Sequence, residues 1–171
     1  MTQLARTPAS IRRLFRMVDL APTPHADILV MGLGLWQVQR GRQLAPHEND
    51  IVAHWPAQLR DSSFIARPQP AHPQKTGPDH KRHQDYGFDT IGPRAAALIG
   101  GQGTLCAMAD RRLAVRLRHL LAMVLERGEA AVVEFSDRGR NFEILGAPVT
   151  AGNGDPAIFC TISCDFVQAR G

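Results

Sequence analysis

The sequence predicts an α+β domain, because strand-like and helix-like segments follow one another in a recognisable order along its second half. A strand-like run at 85–91 precedes a short helical segment, a long amphipathic helix and three successive strand-like runs. Glycine and proline separate these segments at Gly92-Pro93, at Gly100-Gly101 and at Gly128. This order is typical of a cavity-bearing α+β module, and no stretch of the chain carries a strong catalytic motif.

Composition and charge limit the class of protein. The chain has 171 residues, of which 44% are hydrophobic, so we expect one domain with extensions and a sizeable core. The net charge of +4 comes almost entirely from arginine, since Lys75 and Lys81 are the only lysines. No basic stripe interleaved with aromatic residues accompanies this charge, so nucleic-acid binding is not expected.

Three features predict a soluble, cytoplasmic protein without a membrane partner. The N-terminus lacks the apolar segment and cleavage site of a secretory signal. The most apolar run, 28–36, is too short to span a bilayer. Cys106, Cys160 and Cys164 have no disulfide pattern and are expected to be small buried side chains in a reducing compartment.

Residues 1–60 are predicted to form a helical N-terminal extension. Apolar residues at i, i+3, i+4 and i+7 from Ile11 mark one helix, whose Phe15 face needs a partner surface. A second helix is predicted from residue 25 or 26 to about 42, and a third at 51–59.

Residues 61–168 are predicted to form the main domain. A first strand is expected at 61–67, and a segment rich in proline and histidine follows at 68–84. An unstructured segment of that length is unusual inside a domain, so it is either mobile or functional. A short helix is then expected at 94–99, and an irregular turn or short helix at 103–109.

The long helix is predicted at 110–127 and ends at Gly128, a residue suited to a left-handed cap. Its apolar face consists of Leu113, Leu117, Leu120, Leu121 and Val124. The three strands that follow are predicted at 130–135, at 141–149 and at the C-terminal end.

The last strand alternates between two faces. One face carries Ile158, Cys160, Ile162, Cys164 and Phe166, and the other carries Phe159, Thr161 and Ser163. We expect the helices to cover the first face. The second face needs another partner or water, and an N-terminal helix is the candidate for covering Phe159.

From about 35 to 166 the chain resembles a PAS domain, and one bacterial single-domain subfamily in particular. The residues that carry the resemblance are Trp36, Arg40-Gly41, Pro46, Asn49-Asp50-Ile51, Gly92 and Gly100. Two features depart from the family pattern: the segment at 68–84 is longer, and Gly101-Gln102-Gly103 replaces the usual polar residues. The shared features are glycine spacing and apolar pattern rather than a chemical signature.

The resemblance implies a five-stranded antiparallel sheet in the order 2-1-5-4-3, with helices on one face that close over a cavity. PAS domains are sensory or interaction modules; many bind a small molecule, haem or flavin, and some dimerise. The candidate lining residues of such a cavity are Phe88, Leu98, Met108, Leu117, Leu121, Phe142, Ile144 and Ile162. The same residues are equally compatible with a solidly packed core.

No cofactor, metal site or catalytic residue is assigned from the sequence. His119 lies on the long helix but well off its apolar face, so it is expected to be exposed or at the boundary rather than a haem ligand. Cys106 lacks the Asn-Cys-Arg setting of a photoactive flavin site. The histidines of the 68–84 segment, which are His72, His80 and His83, have a weak spacing for zinc and fit a solvated loop.

The sequence therefore predicts a regulatory module without enzymatic activity. It would bind a small molecule or a signalling protein partner, and act through rearrangement of a homodimer or of its helices. Two alternatives remain open: a small cavity-bearing α+β enzyme, and a purely structural dimerisation domain. The polar residues on offer for an enzyme are Tyr86, Asp89 and Thr161.

Overall fold

The chain folds into one antiparallel sheet with a layer of helices on each face, as described by a computed structural model for residues 24–70, 84–101 and 103–166. Its helices are α1 (Asp27–Arg40), α2 (Glu48–Ala53), α3 (Ala57–Asp61), α4 (Pro93–Ile99) and α5 (Arg111–Arg127), with a 3-10 helix at Leu105–Ala107. Its strands are β1 (Ser63–Pro68), β2 (Tyr86–Asp89), β3 (Gly103–Thr104), β4 (Ala131–Asp137), β5 (Arg140–Thr150) and β6 (Pro156–Phe166). The predicted helix at Ile11 and the histidines of the 68–84 segment lie outside the described residues.

The sheet has six strands in the order β3-β2-β1-β6-β5-β4, and all neighbours pair antiparallel. The expected number was five, and the additional strand is β3, which pairs only Thr104 with Gly87 and Gly103 with Phe88. Two residues carry no alternating pattern, which is why 103–109 was predicted to be irregular. The longest pairing joins β5 to β6.

The first helical layer consists of α4, the 3-10 helix and α5, which bury an apolar core against one face of the sheet. Ile158, Cys160 and Ile162 point into this core, as their alternation predicts. The α5 helix is capped at its start by Asp110, whose Oδ1 accepts from the backbone N–H of Leu113 at 3.0 Å. It ends at Gly128 in the left-handed region, with φ of +67°, as predicted.

The second helical layer consists of α1, α2 and α3, which cover the opposite face of the sheet. These three helices belong to the N-terminal extension predicted at 1–60, and a helix of that extension was the candidate for covering Phe159. The middle of β5 is buried without interruption from Ile144 to Val149, so both of its faces need cover. The Phe159 face is covered by α1, which approaches so closely that a Cβ on Gly32 would lie 2.8 Å from Oγ1 of Thr161.

The segment predicted as one helix at 51–59 is two helices. Pro56 adopts an extended conformation with ψ of 148° between α2 and α3, because its ring and missing N–H do not continue a helix. Within the described ranges, no helix is long and apolar enough to cross a membrane.

Candidate functional site

The predicted lining residues meet in one apolar core between the first helical layer and the sheet. Seven of the eight are fully buried members of this core, and Leu98 of α4 is half-buried at its rim. The seven are Phe88 from β2, Met108 after the 3-10 helix, Leu117 and Leu121 from α5, Phe142 and Ile144 from β5, and Ile162 from β6. Sequence periodicity therefore grouped residues that share one core, to which β1, β4 and the 3-10 helix also contribute.

Two packing contacts define the shape of this interior. The ring of Phe64 on β1 meets Phe88 edge to face, with centroids 5.4 Å apart. At the far end, α5 lies directly on β5, because a Cβ on Gly146 would come within 3.1 Å of Cγ2 of Val124. The helix is thus pressed onto the sheet near its C-terminal end, and Gly146 is the residue that permits the approach.

A polar group lies beside this apolar interior and was not assembled from the sequence. Nη2 of Arg118 donates to Sγ of Cys106 at 3.6 Å, and Nε of Arg118 is buried without a hydrogen-bond partner. Oδ1 of Asp85 accepts from the backbone N–H groups of Tyr86 and Cys106, at 2.9 and 3.0 Å. In the sequence, Arg118 could have been noticed from its position directly after Leu117, a residue of the apolar helix face.

At neutral pH the side chains of Tyr86, Cys106 and Arg118 are all protonated, so each can donate a hydrogen bond. Burial raises the pKa of the Tyr86 phenol, and the nearby charge of Arg118 opposes the shift only in part. Partial loss of water contact, together with Asp85, raises the pKa of the Cys106 thiol although the residue is exposed. A protonated phenol, a thiol and a guanidinium can donate to acceptor oxygens. This polar cluster therefore suits the polar end of a mainly apolar molecule.

The remaining candidates for chemistry are dispersed. His119 is exposed on α5, as predicted. Cys106 is exposed, so the prediction that it belongs to the core was wrong; Leu105 fills the core from the same 3-10 helix. Tyr86 is buried in the first core, whereas Thr161 faces α1 and bonds Ser63 through the two hydroxyls at 3.0 Å.

The polar residues proposed for an enzyme therefore do not converge. Asp89 is exposed and pairs with Arg67. In β2 it lies an odd number of positions from Tyr86, so the two side chains point to opposite faces of the sheet. Among the described residues, no group of three or more His, Cys, Asp or Glu side chains is arranged to hold a metal ion.

The α1 helix is fixed to the sheet at both ends. The carboxylate of Glu143 on β5 accepts from the backbone N–H groups of His25 and Ala26, at 2.6 and 2.7 Å, just before the helix begins. Nε1 of Trp36 donates to the carbonyl of Pro148 at 2.8 Å. A carboxylate near a helix N-terminus also complements the helix dipole, so Glu143 both holds and orients α1.

The outward pole of α1, the exposed side that carries Val30, Met31 and Val38, is mainly apolar, with Asp27 and Gln37 exposed beside them. Val30 and Val38 are 51% and 76% exposed, and Met31 is also exposed. Between them lies Gly34, where an added Cβ would meet no atom within 4 Å.

No protein-family model matches this chain, and neither does any curated protein or solved structure.

Proposed function

We propose that this chain is a regulatory module of the PAS type, which binds a small molecule in its interior or a signalling protein on its surface. The observation that carries the proposal is the strand order. Without the two-residue β3, the strands lie in the order β2-β1-β6-β5-β4, which is 2-1-5-4-3 when five strands are counted. The helices between β2 and β4 lie over the face where a PAS cavity is expected, and this supports the same proposal.

The proposed signal passes through β5 to the N-terminal helices. Phe142 and Ile144 point into the interior, whereas Glu143 between them holds the start of α1 on the other face. Alternate residues of a strand face opposite sides, so an occupant that displaces the interior side chains also moves the carboxylate that holds α1. The ligand or partner then biases the arrangement of α1 according to its differential affinity for the two states.

The proposed output surface is the apolar outward pole of α1. Val30, Met31 and Val38 would be removed from water if two copies packed through this helix, and Gly34 would allow close approach of the two backbones. Homodimerisation through α1 would couple the interior of each copy to its partner. The signal would then pass to another protein through the altered dimer.

Native mass spectrometry and an absorbance scan of the purified chain test this proposal. We expect a bound small-molecule mass, with visible absorbance if the ligand is a haem or a flavin. Leu117→Phe should abolish the bound mass because it fills the interior, whereas the volume-conserving Leu117→Met should retain it. A bare polypeptide mass in both variants and in the wild type would refute interior binding.

A second candidate is a purely structural dimerisation domain with a filled core. It is favoured by the burial of the lining residues, seven of which expose 4% of their surface or less. This candidate predicts a bare dimer in the same experiment. It also predicts that Leu117→Phe lowers stability without any change in bound mass.

A further inference from the structure

A groove on the surface, separate from the apolar interior, runs between the first half of α5 and the edge of the sheet. Its volume is about 580 Å³, in the range of sites that hold ligands or short peptide segments. The groove is lined by Arg111, Arg112, Val115 and Arg116 from α5, and by Phe135, Ser136 and Asp137 from β4. Each lining residue thus comes from a helix surface or from an edge strand.

The groove is positively charged and contains one buried carboxylate. Nη1 of Arg112 donates to Oδ1 of Asp137 at 2.6 Å, and the Arg116 guanidinium lies 5.9 Å from the centroid of the Phe135 ring. Three arginines therefore face a single acid. Asp137 is 5% exposed, and Nε of Arg138 lies 3.9 Å from its Oδ2.

The backbone of β4 offers a row of free hydrogen-bonding groups along the same groove. β4 is an edge of the sheet, and its two-residue turn to β5 makes Asp137 and Arg140 a hydrogen-bonded pair. Because pairing alternates along an antiparallel ladder, the N–H and C=O of Ser136 and Glu134 point away from β5. Among the described residues, neither makes a backbone hydrogen bond on that side.

We propose that this groove docks an extended acidic segment of a partner protein, which adds to β4 as a further strand. Its backbone would bond the free edge, and its carboxylates would meet Arg111 and Arg116. The docking surface extends the proposed function by naming the chemistry of the signalling partner. It does not depend on whether the interior binds a small molecule.

Charge identifies the occupant as a separate acidic chain. The segments of this chain outside the described ranges are all cationic: 1–23 has four arginines and one aspartate, 71–83 has three basic residues and one aspartate, and 167–171 has one arginine. A second copy is also unfavourable. Symmetric pairing centred on Glu134 opposes that carboxylate to its copy, and pairing centred on Ser136 opposes the two arginine groups.

The first test measures binding of a blocked, fluorescent octapeptide of alternating glutamate and valine to the full chain. We expect it to bind at least tenfold more tightly than the lysine–valine peptide, and more weakly as salt is raised. Arg116→Glu should weaken binding at least tenfold. Arg94→Glu is the matched control, because Arg94 is exposed on α4 outside the groove, and it should change binding less than twofold.

The second test separates strand addition from charge attraction alone. Ser136→Pro removes an N–H that points away from the β5 ladder, so it should weaken the peptide at least tenfold, whereas Ser136→Ala should leave binding within twofold. A peptide methylated on alternate backbone nitrogens should bind the wild type as weakly as the unmodified peptide binds Ser136→Pro. If Ser136→Pro does not fold, the methylated peptide and Arg116→Glu still decide the question.

Three results would overturn the proposal. The first is equal affinity for the glutamate and lysine peptides, and the second is equal binding of the glutamate peptide by Ser136→Pro and Ser136→Ala. The third is a wild-type dimer that dissociates into monomers when Ser136→Pro is introduced. No detectable binding of the glutamate peptide at millimolar concentration would also overturn it. The Leu117→Phe variant should bind the peptide like the wild type, so failure of the interior site and failure of the groove are separate outcomes.

Discussion

Alanine substitution at two glycines of α1 tests the packing of this helix on the sheet. An interior helical glycine is about 1 kcal/mol less favourable than alanine, so Gly34→Ala should raise the free energy of unfolding by up to about 1 kcal/mol. At Gly32 the new Cβ would lie 2.8 Å from Oγ1 of Thr161 and 3.3 Å from Cδ2 of Leu145. Overpacking of a buried site costs about 1–3 kcal/mol, so Gly32→Ala should be between neutral and about 2 kcal/mol destabilising.

The assay is urea unfolding followed by circular dichroism, with the midpoints compared at constant slope. Two protein concentrations separate helix stability from any effect on dimerisation through Gly34. In a Thr161→Ala background the cost of Gly32→Ala should shrink by about 1 kcal/mol or more, because the two groups are in contact. Equal stabilisation by both alanines would refute the close approach of α1 to β6.

Three further predictions concern titration, reactivity and capping. Tyr86 is the only tyrosine, so absorbance at alkaline pH reports its pKa directly, and burial should place it above 10. Stability from this group is complete below pH 10 and declines as pH rises through the folded-state pKa; Tyr86→Phe should remove that decline, and a normal titration near 10 would contradict the burial. Cys160 is fully buried and burial raises its thiol pKa, so iodoacetamide should modify it only as fast as the protein unfolds, while the exposed Cys106 reacts in the folded state. Asp110→Ala should cost about 1 kcal/mol in urea unfolding through loss of the α5 cap, whereas Asp110→Asn should retain most of that stability; equal losses would assign the effect to charge instead.

The fold was predictable in the segments whose residue pattern fits only one kind of secondary structure. The α5 helix follows from its apolar spacing and from Gly128, and the interior face of β6 follows from the alternation of Ile158, Cys160 and Ile162. The second helical layer was less evident, because the second face of β6 mixes Phe159 with the polar Thr161 and Ser163. In retrospect the unbroken run from Ile144 to Val149 indicates a strand that is buried on both faces.

The candidate sites differ in how far the sequence could locate them. The burial of seven of the eight candidate lining residues was predictable because apolar periodicity assigns each residue to a face. Arg118 and Cys106 come together only through the packing of the 3-10 helix against α5, which no local pattern encodes. The groove required knowledge of the strand order, since Ser136 and Asp137 matter only because β4 is an edge.

The coupling between the interior and the outward pole of α1 is the central claim, and it can be measured as a change in dimer affinity. In sedimentation equilibrium, Leu117→Phe should change the dimer dissociation constant about tenfold relative to Leu117→Met, because the larger ring occupies the interior as a ligand would. A tenfold change corresponds to about 1.4 kcal/mol, within the usual range of coupling between sites. An unchanged dissociation constant, or a monomer at every concentration, would contradict the account.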